Sequence, residues 1–326
     1  MDDTDRKLLI LLSGNPRLHF RQIASELRIS RQAVHHRINA LREAGVIQGS
    51  HAGVSVSYLD AVPVSVWGRS KTSSIEKTLD RLAESEFTRR VVVTGGNYLY
   101  VVGYLRNISE LSGFAEFVKQ IAEMPEPTVG IYSVDDGLMP YSVDGSGERK
   151  EIAKPLTPLD LKIIATLKGD ARRPIADIAK MVGVSTKTVR RHMEKMISDG
   201  SIEMGMPMDL ASGGDLLLVM HVNLKEGASK RTVGKRLLSK HYIRDQYVRT
   251  FSNLPNLLIW VFWCGSMAQI RTALRETDHD EDVESVMLNF SYLERIYPTW
   301  RDKLTPDLAP VSKKARTLKS CSRRKS

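Results

Sequence analysis

Cysteine is nearly absent: two residues, Cys264 inside an apolar run and Cys321 in a basic stretch, in a chain of 326. So few thiols exclude a disulfide framework and a cysteine-based zinc site, and they suit a reducing cytoplasm. Long apolar runs are absent as well. The longest candidate, residues 257–264, has the length of a strand and not the roughly 20 residues needed to cross a bilayer. The opening, MDDTDRK, is acidic and only a short apolar run follows, so it does not read as a signal peptide. A cytoplasmic location is expected. Histidines do not form a ligand set: His35 and His36 are adjacent on a predicted helix and point different ways, and neither they nor His51 have a well-spaced cysteine or acidic partner. Nothing calls for a metal or a cofactor.

What is present is positive charge. The formal net charge of +10 favours an acidic partner, either nucleic acid or an anionic membrane surface, and composition does not choose between them. The apolar fraction of 42% is ordinary for a folded protein, and the length allows two or three domains with real cores.

Residues 30–45, SRQAVHHRINALREAG, carry the most information. Val34, Ile38 and Leu41 recur at helical spacing and share one side of a helix. Arg31, Gln32, His35, His36 and Asn39 lie away from that stripe. Ser30 suits an N-cap, and Gly45 stands where the helix should stop. A shorter amphipathic segment, residues 22–27, and the tight turn Arg28-Ile29 come before it. A short helix, a turn and a longer helix with a polar, basic outer face make a helix-turn-helix. The pattern then returns in the second half, in register and without a gap. Ile23-Ala24 matches Ile178-Ala179, Leu27 matches Val182, and Ile29-Ser30 matches Val184-Ser185. Val34 matches Val189, Leu41 matches Met196 and Gly45 matches Gly200, while Asp5 and Arg17 find Asp160 and Arg172. The chain is an internal duplication.

The rest of the plan follows from that. The opening helix is read over residues 3–13, with Leu8, Leu9, Leu11 and Leu12 facing inward and acidic residues at its N-terminus, where they suit the helix dipole. Val46-Ile47 start an extended segment expected to form one side of a small wing. Strands are read at 61–68, 90–94, 98–105 and 128–134 and helices at 73–84 and 109–122, the β-α-β-β-α-β order of a ferredoxin-like unit. The second half repeats it, with strands at 216–224, 247–251, 257–263 and 283–290 and helices at 230–240 and 266–276. The expected fold is α+β: two winged helix-turn-helix domains, each followed by a ferredoxin-like βαββαβ domain. Their bounds are 1–54 and 55–135, a linker at 136–155, then 156–208 and 209–304, and a basic tail at 305–326. Trp260 and Trp263 fall on opposite faces of one strand. Core packing explains them plainly, and a ligand pocket is the alternative for one of the two.

This order of elements resembles the Lrp/AsnC family of prokaryotic transcription regulators. Asp5-Arg6-Lys7-Leu8-Leu9 and Asp160-Leu161-Lys162-Ile163-Ile164 look like that family's opening helix. Ile23-Ala24, Ser30, Val34, Arg37, Leu41 and Gly45-Val46-Ile47 look like its DNA-binding unit. Val93-Thr94-Gly95 with Tyr98 resembles the turn of its effector domain. Two departures stand out: Leu99 follows Tyr98 where the family usually has an acidic residue, and the second copy has no glycine at its turn. The resemblance implies a transcription regulator that binds double-stranded DNA. It also implies a small-molecule effector near Gly95, Asn97 and Tyr98, and pairing through the αβ domains, either as an intrachain pseudo-dimer or as a homo-oligomer.

DNA binding needs cations for phosphates and forked donors for base edges. The expected DNA-contacting set in the first copy is Ser30, Arg31, Gln32, His35, His36 and Arg37. In the second it is Ser185, Thr186, Lys187, Arg190 and Arg191, with His192 standing where Arg37 does. Arg31 suits guanine and Gln32 adenine in the major groove. Two readings compete. Sirohaem decarboxylases share this architecture, but such an enzyme needs basic and histidine residues converging in the αβ domains, where only His221, His241 and His279 are found. An architectural protein that covers DNA with little sequence choice is the other. No catalytic constellation is apparent.

Overall fold

The computed structural model describes residues 1–133, 155–209, 211–241 and 245–306. The expected linker and basic tail therefore lie almost wholly outside the described residues.

Each half opens with three helices. In the first these are α1 (Asp3–Gly14), α2 (Phe20–Leu27) and α3 (Arg31–Glu43). The Asp2 carboxylate caps α1 and Asp5 reaches back to the cap, a reciprocal box that satisfies two orphan N–H groups. Val34, Ile38 and Leu41 of α3 close the core against Leu8 and Ile23. Helix α1 is buried on more sides than a three-helix unit requires, from Leu8 through Leu12, because Met206 and Trp263 of the second half also pack on it.

The chain then departs from expectation. Strand β1 (His51–Val54) has no partner in its own wing. It pairs antiparallel with its counterpart after the second helix-turn-helix, His51 opposite Gly205 and Val54 opposite Ile202. Ala52 and Val54 pack into the core of the second unit, while Met206 packs into that of the first. Two four-residue strands too short to stand as separate hairpins thus stabilise each other.

The first αβ unit comprises β2 (Val62–Arg69), α4 (Ile75–Leu82), β3 (Thr88–Thr94), β4 (Tyr98–Leu105), α5 (Leu111–Ile121) and β5 (Thr128–Ile131). The second helix-turn-helix follows as α6 (Pro158–Leu167), α7 (Ile175–Val182), α8 (Thr186–Ser198) and β6 (Ile202–Gly205). The second αβ unit is β7 (Leu216–Leu224), α9 (Lys230–His241), β8 (Asp245–Thr250), β9 (Leu257–Cys264), α10 (Met267–Asp278) and β10 (Val283–Ile296). Each has the ferredoxin-like arrangement.

The two units share one eight-stranded sheet, in the order β5-β2-β4-β3-β10-β7-β9-β8. The join is β3 with β10, antiparallel from Leu293 opposite Val93 to Ile296 opposite Arg90. Strand β10 was expected to end at Phe290; it runs on through a bulge between Ser291 and Leu293 and into the other unit. At the far ends Tyr132 bridges to Phe251, and Asn253 hydrogen-bonds the Ile131 N–H and the Val129 carbonyl. Gly130 is needed there: the Phe251 and Trp67 rings fill the space a side chain would take. Helices cover one face of the sheet over two apolar cores. On the other face, Trp67, Val92 and Tyr100 of the first unit meet Val219, Phe251, Ile259 and Val261 of the second. Trp260 belongs to the helix-side core and Trp263 to the contact with α1, so both are packing residues.

Two sets of ion pairs tie this body together. Arg6 of α1 holds Asp215, at the start of the second αβ unit, through two 2.8 Å hydrogen bonds, with side chains only 9% and 3% exposed. The Asp215 carboxylate holds the Arg6 guanidinium above its ordinary value. The second set repeats with the duplication. Arg37 of α3 pairs with Asp2 and Asp5, and His192 of α8 lies 2.7 Å from Asp160, the counterpart of Asp5. Burial pushes the Asp160 carboxyl up, but the His192 ring, the Thr157 cap and Lys195 more than offset this and hold it below its ordinary value.

Breaking a buried pair strands a charge at a cost of about 3–5 kcal/mol. Asp215→Ala should lower unfolding free energy by that order in urea titrations, and Arg6→Met with Asp215→Leu should recover much of the loss. The Asp160 clasp has a pH signature. Its depressed carboxyl contributes stability above the unfolded value of 3.8, and that stability drains as pH falls through the lower folded value. Thermal melts should therefore show a loss below about pH 4 that Asp160→Asn reduces.

Candidate nucleic-acid interface

The two recognition helices are built alike. The Ser30 hydroxyl accepts the Ala33 N–H at 3.1 Å and the Ser185 hydroxyl accepts the Thr188 N–H at 3.1 Å. Both serines thus serve first as helix caps. The turns before them put a left-handed residue at the same place, Arg28 in one copy and Gly183 in the other. With Val34, Ile38 and Leu41 buried, Arg31, Gln32, His35 and His36 are left exposed; with Val189, Met193 and Met196 buried, so are Thr186, Lys187, Arg190 and Arg191.

The expected set does not all face outward. Arg37 is half-buried and its guanidinium is taken by Asp2 and Asp5, so it fastens α3 to α1. His35 is exposed but drawn back: its ring meets Phe20 edge-on at 6.0 Å and its Nδ1 lies 3.3 Å from the Asn39 amide nitrogen. On α8 an exposed carboxylate, Glu194, follows one turn after Arg190.

Two residues escaped the expected set although the repeat had marked them. Arg17 and its counterpart Arg172 cross between the units. Arg17 donates to the carbonyls of Ala171 (2.5 Å) and Arg173 (3.0 Å), and Arg172 donates to those of Pro16 and Leu18. Arg172 also lies over the Phe20 ring at 5.0 Å. Together with the β1–β6 ribbon, this makes the two helix-turn-helix units one body.

The residues named for an effector do not converge. Gly95–Asn97 form a tight 3₁₀ turn at the surface, with Gly96 and Asn97 at positive φ. The Tyr98 ring points the other way, into the interior between the αβ units, beside Tyr100 (5.3 Å) and His221 (6.1 Å). Among the described side chains the αβ histidines are also apart. His221 sits between the units, within 2.7 Å of the Tyr100 hydroxyl, and burial pulls it down to about 4. His279 ends α10, and the His241 side chain lies outside the described residues. No helix among the described residues is long and apolar enough to cross a membrane.

A family model described as winged helix-turn-helix DNA-binding matches the chain twice, over residues 1–48 and 156–203. The HTH-type transcriptional regulator Ptr1 of Methanocaldococcus jannaschii is 35% identical over 133 residues, which are 40% of this chain and 86% of that one. The HTH-type transcriptional regulator LrpA of Pyrococcus horikoshii is 30% identical over 100 residues, 30% of this chain and 71% of that one. Among solved structures, the siroheme decarboxylase NirDL aligns with a TM-score of 0.57 over 93% of this chain and 96% of that one, at 13% identity, which is a likeness of fold alone. The chain belongs to the Lrp/AsnC-type family of HTH-type transcriptional regulators, carries the family's unit twice, and is a DNA-binding transcription regulator.

Proposed function

We propose that a single chain binds duplex DNA sequence-specifically, presenting two unlike recognition helices to two unlike half-sites in the major groove. The supporting observation is that both helices keep exposed basic faces while their αβ units are already joined in one sheet. A homodimer of single-copy subunits reads two like half-sites by symmetry. Here Arg31, Gln32 and His36 stand in one head and Thr186, Lys187, Arg190 and Arg191 in the other, so the site read has two different halves. No second subunit is required, because the pairing that would otherwise need one occurs within the chain. An effector at the Gly95–Asn97 turn would meet backbone and the Asn97 side chain, since the Tyr98 ring is turned inward. A decarboxylase role draws no support from the scattered αβ histidines.

Replacing Arg31 and Gln32 with alanine should weaken binding by roughly ten- to a hundredfold and relax base preference in one half-site. Replacing Lys187 and Arg191 should do the same in the other half. Gel-shift titrations on randomised duplexes read both effects, and undiminished binding after both pairs of changes would defeat the reading. Light scattering of the complex should give one chain per two-part site. Two chains per site would instead favour pairing between chains, and loss of preference over bulk DNA in competition at rising salt would favour an architectural protein.

A further inference from the structure

At the seam between the helix-turn-helix units lies an open groove of about 530 Å³. His19, Phe20, Arg21, Gln22 and Arg31 of the first unit line it, and the second unit contributes Arg172. Three arginines line it with no carboxylate among the lining residues, and Arg21 and Arg172 are the two not already assigned to a base edge. Arg21 and Arg31 are exposed, whereas Arg172 is set in place by the Pro16 and Leu18 carbonyls and the Phe20 ring beneath it. Burial above all, then the charges of Arg42 and Arg17, push the Arg172 guanidinium below its ordinary value, and the Asp170 carboxylate offsets only part of this. The first turn of α2 forms part of the wall, so the positive end of the helix adds to the field. One anchored and two exposed guanidinium groups around an open groove, with no carboxylate in its lining, suit a phosphate diester.

The second unit has nothing equivalent. At the positions matching His19 to Gln22 it has Pro174, Ile175, Ala176 and Asp177; Thr186 stands for Arg31, and Arg17 for Arg172. One guanidinium and one carboxylate replace three guanidinium groups.

We propose that this groove clamps the sugar–phosphate backbone of DNA. Both repeats build it, but only the first reading head has it, so that head anchors the complex and the second head reads from a weaker hold. The proposal rests on the DNA-binding reading above and adds to it a division of labour between the heads. Arg172 then acts at the head of the repeat to which it does not belong.

The test uses the full chain and a duplex carrying its site, titrated across salt from about 50 to 200 mM, where each phosphate contact steepens the salt dependence. Arg21→Ala should weaken binding several-fold on all duplexes alike and make the slope of log K against log salt shallower by about one. The converse variant, Ala176→Arg with Asp177→Gln, transplants the first head's pair to the second and should tighten binding and steepen the slope by about one. All three positions are exposed, and unchanged melting temperatures would verify that both variants fold. An unchanged slope in either variant overturns the clamp, as does an effect of Arg21→Ala confined to one base pair. Failure of the unaltered chain to bind duplex DNA would instead overturn the reading on which the clamp rests.

Discussion

The main-chain ladder between β3 and β10 is the constraint on which the rest of the molecule depends. It makes two copies of one unit into a single sheet and brings their non-helical faces together, where Trp67, Tyr100, Phe251 and Ile259 are buried. It also removes two strand edges that would otherwise be open to association. On the opposite side the main chains meet through a single bridge, because β5 has four residues where β10 has fourteen, and side chains of Phe251, Ser252 and Asn253 supply the rest of the contact. The approximate twofold relation is thus broken in the hydrogen bonding itself. Covalent linkage gives the second unit a high effective concentration, so this contact need not be strong enough to hold separate chains together.

Freed from identity, the two copies have diverged where a symmetric dimer could not. Arg37 with two aspartates in one unit becomes His192 with Asp160 in the other, so the same fastening between opening and recognition helices survives with different chemistry. The exchange of arginines at the seam has been kept on both sides, Arg17 in one direction and Arg172 in the other. What has changed most is what faces outward.

Polar groups between the αβ units add direction to an otherwise apolar contact. Asn289 of β10 donates to the Tyr100 hydroxyl at 2.7 Å, which in turn lies 2.7 Å from the His221 ring. Nearby, Arg90 of one unit pairs with Glu294 of the other at 3.2 Å, and the carboxylate holds the guanidinium above its ordinary value. Tyr100 and His221 are buried and the others half-buried; such groups are costly when unpaired and therefore select the register in which each finds its partner. With its proton equilibrium pulled down to about 4, His221 is neutral at neutral pH and does not charge this interior.

Much of this was legible in the residues themselves. Helical spacing of Val34, Ile38 and Leu41, the serine caps and the repeat from Ile23 to Gly45 located both recognition helices, because those signals are local. The order of strands and helices in each half was legible for the same reason. Three things were not. The extended segment that starts at Val46-Ile47 reads as one side of its own wing, but the four residues of β1 within it carry no mark of which strand will pair with them. The alternation of faces marks β10 only as far as Phe290, because the bulge before Leu293 shifts it. Arg37 and Tyr98 were placed among site residues, yet Asp2 and Asp5 claim the first and the interior between the αβ units takes the second. The sequence by itself determined the elements, their duplication and the basic faces of two helices, all properties of neighbours along the chain. Only the tertiary structure decided that the copies join in one sheet, that the helix-turn-helix units clasp each other, and which cations remain exposed, because these depend on partners far away in sequence.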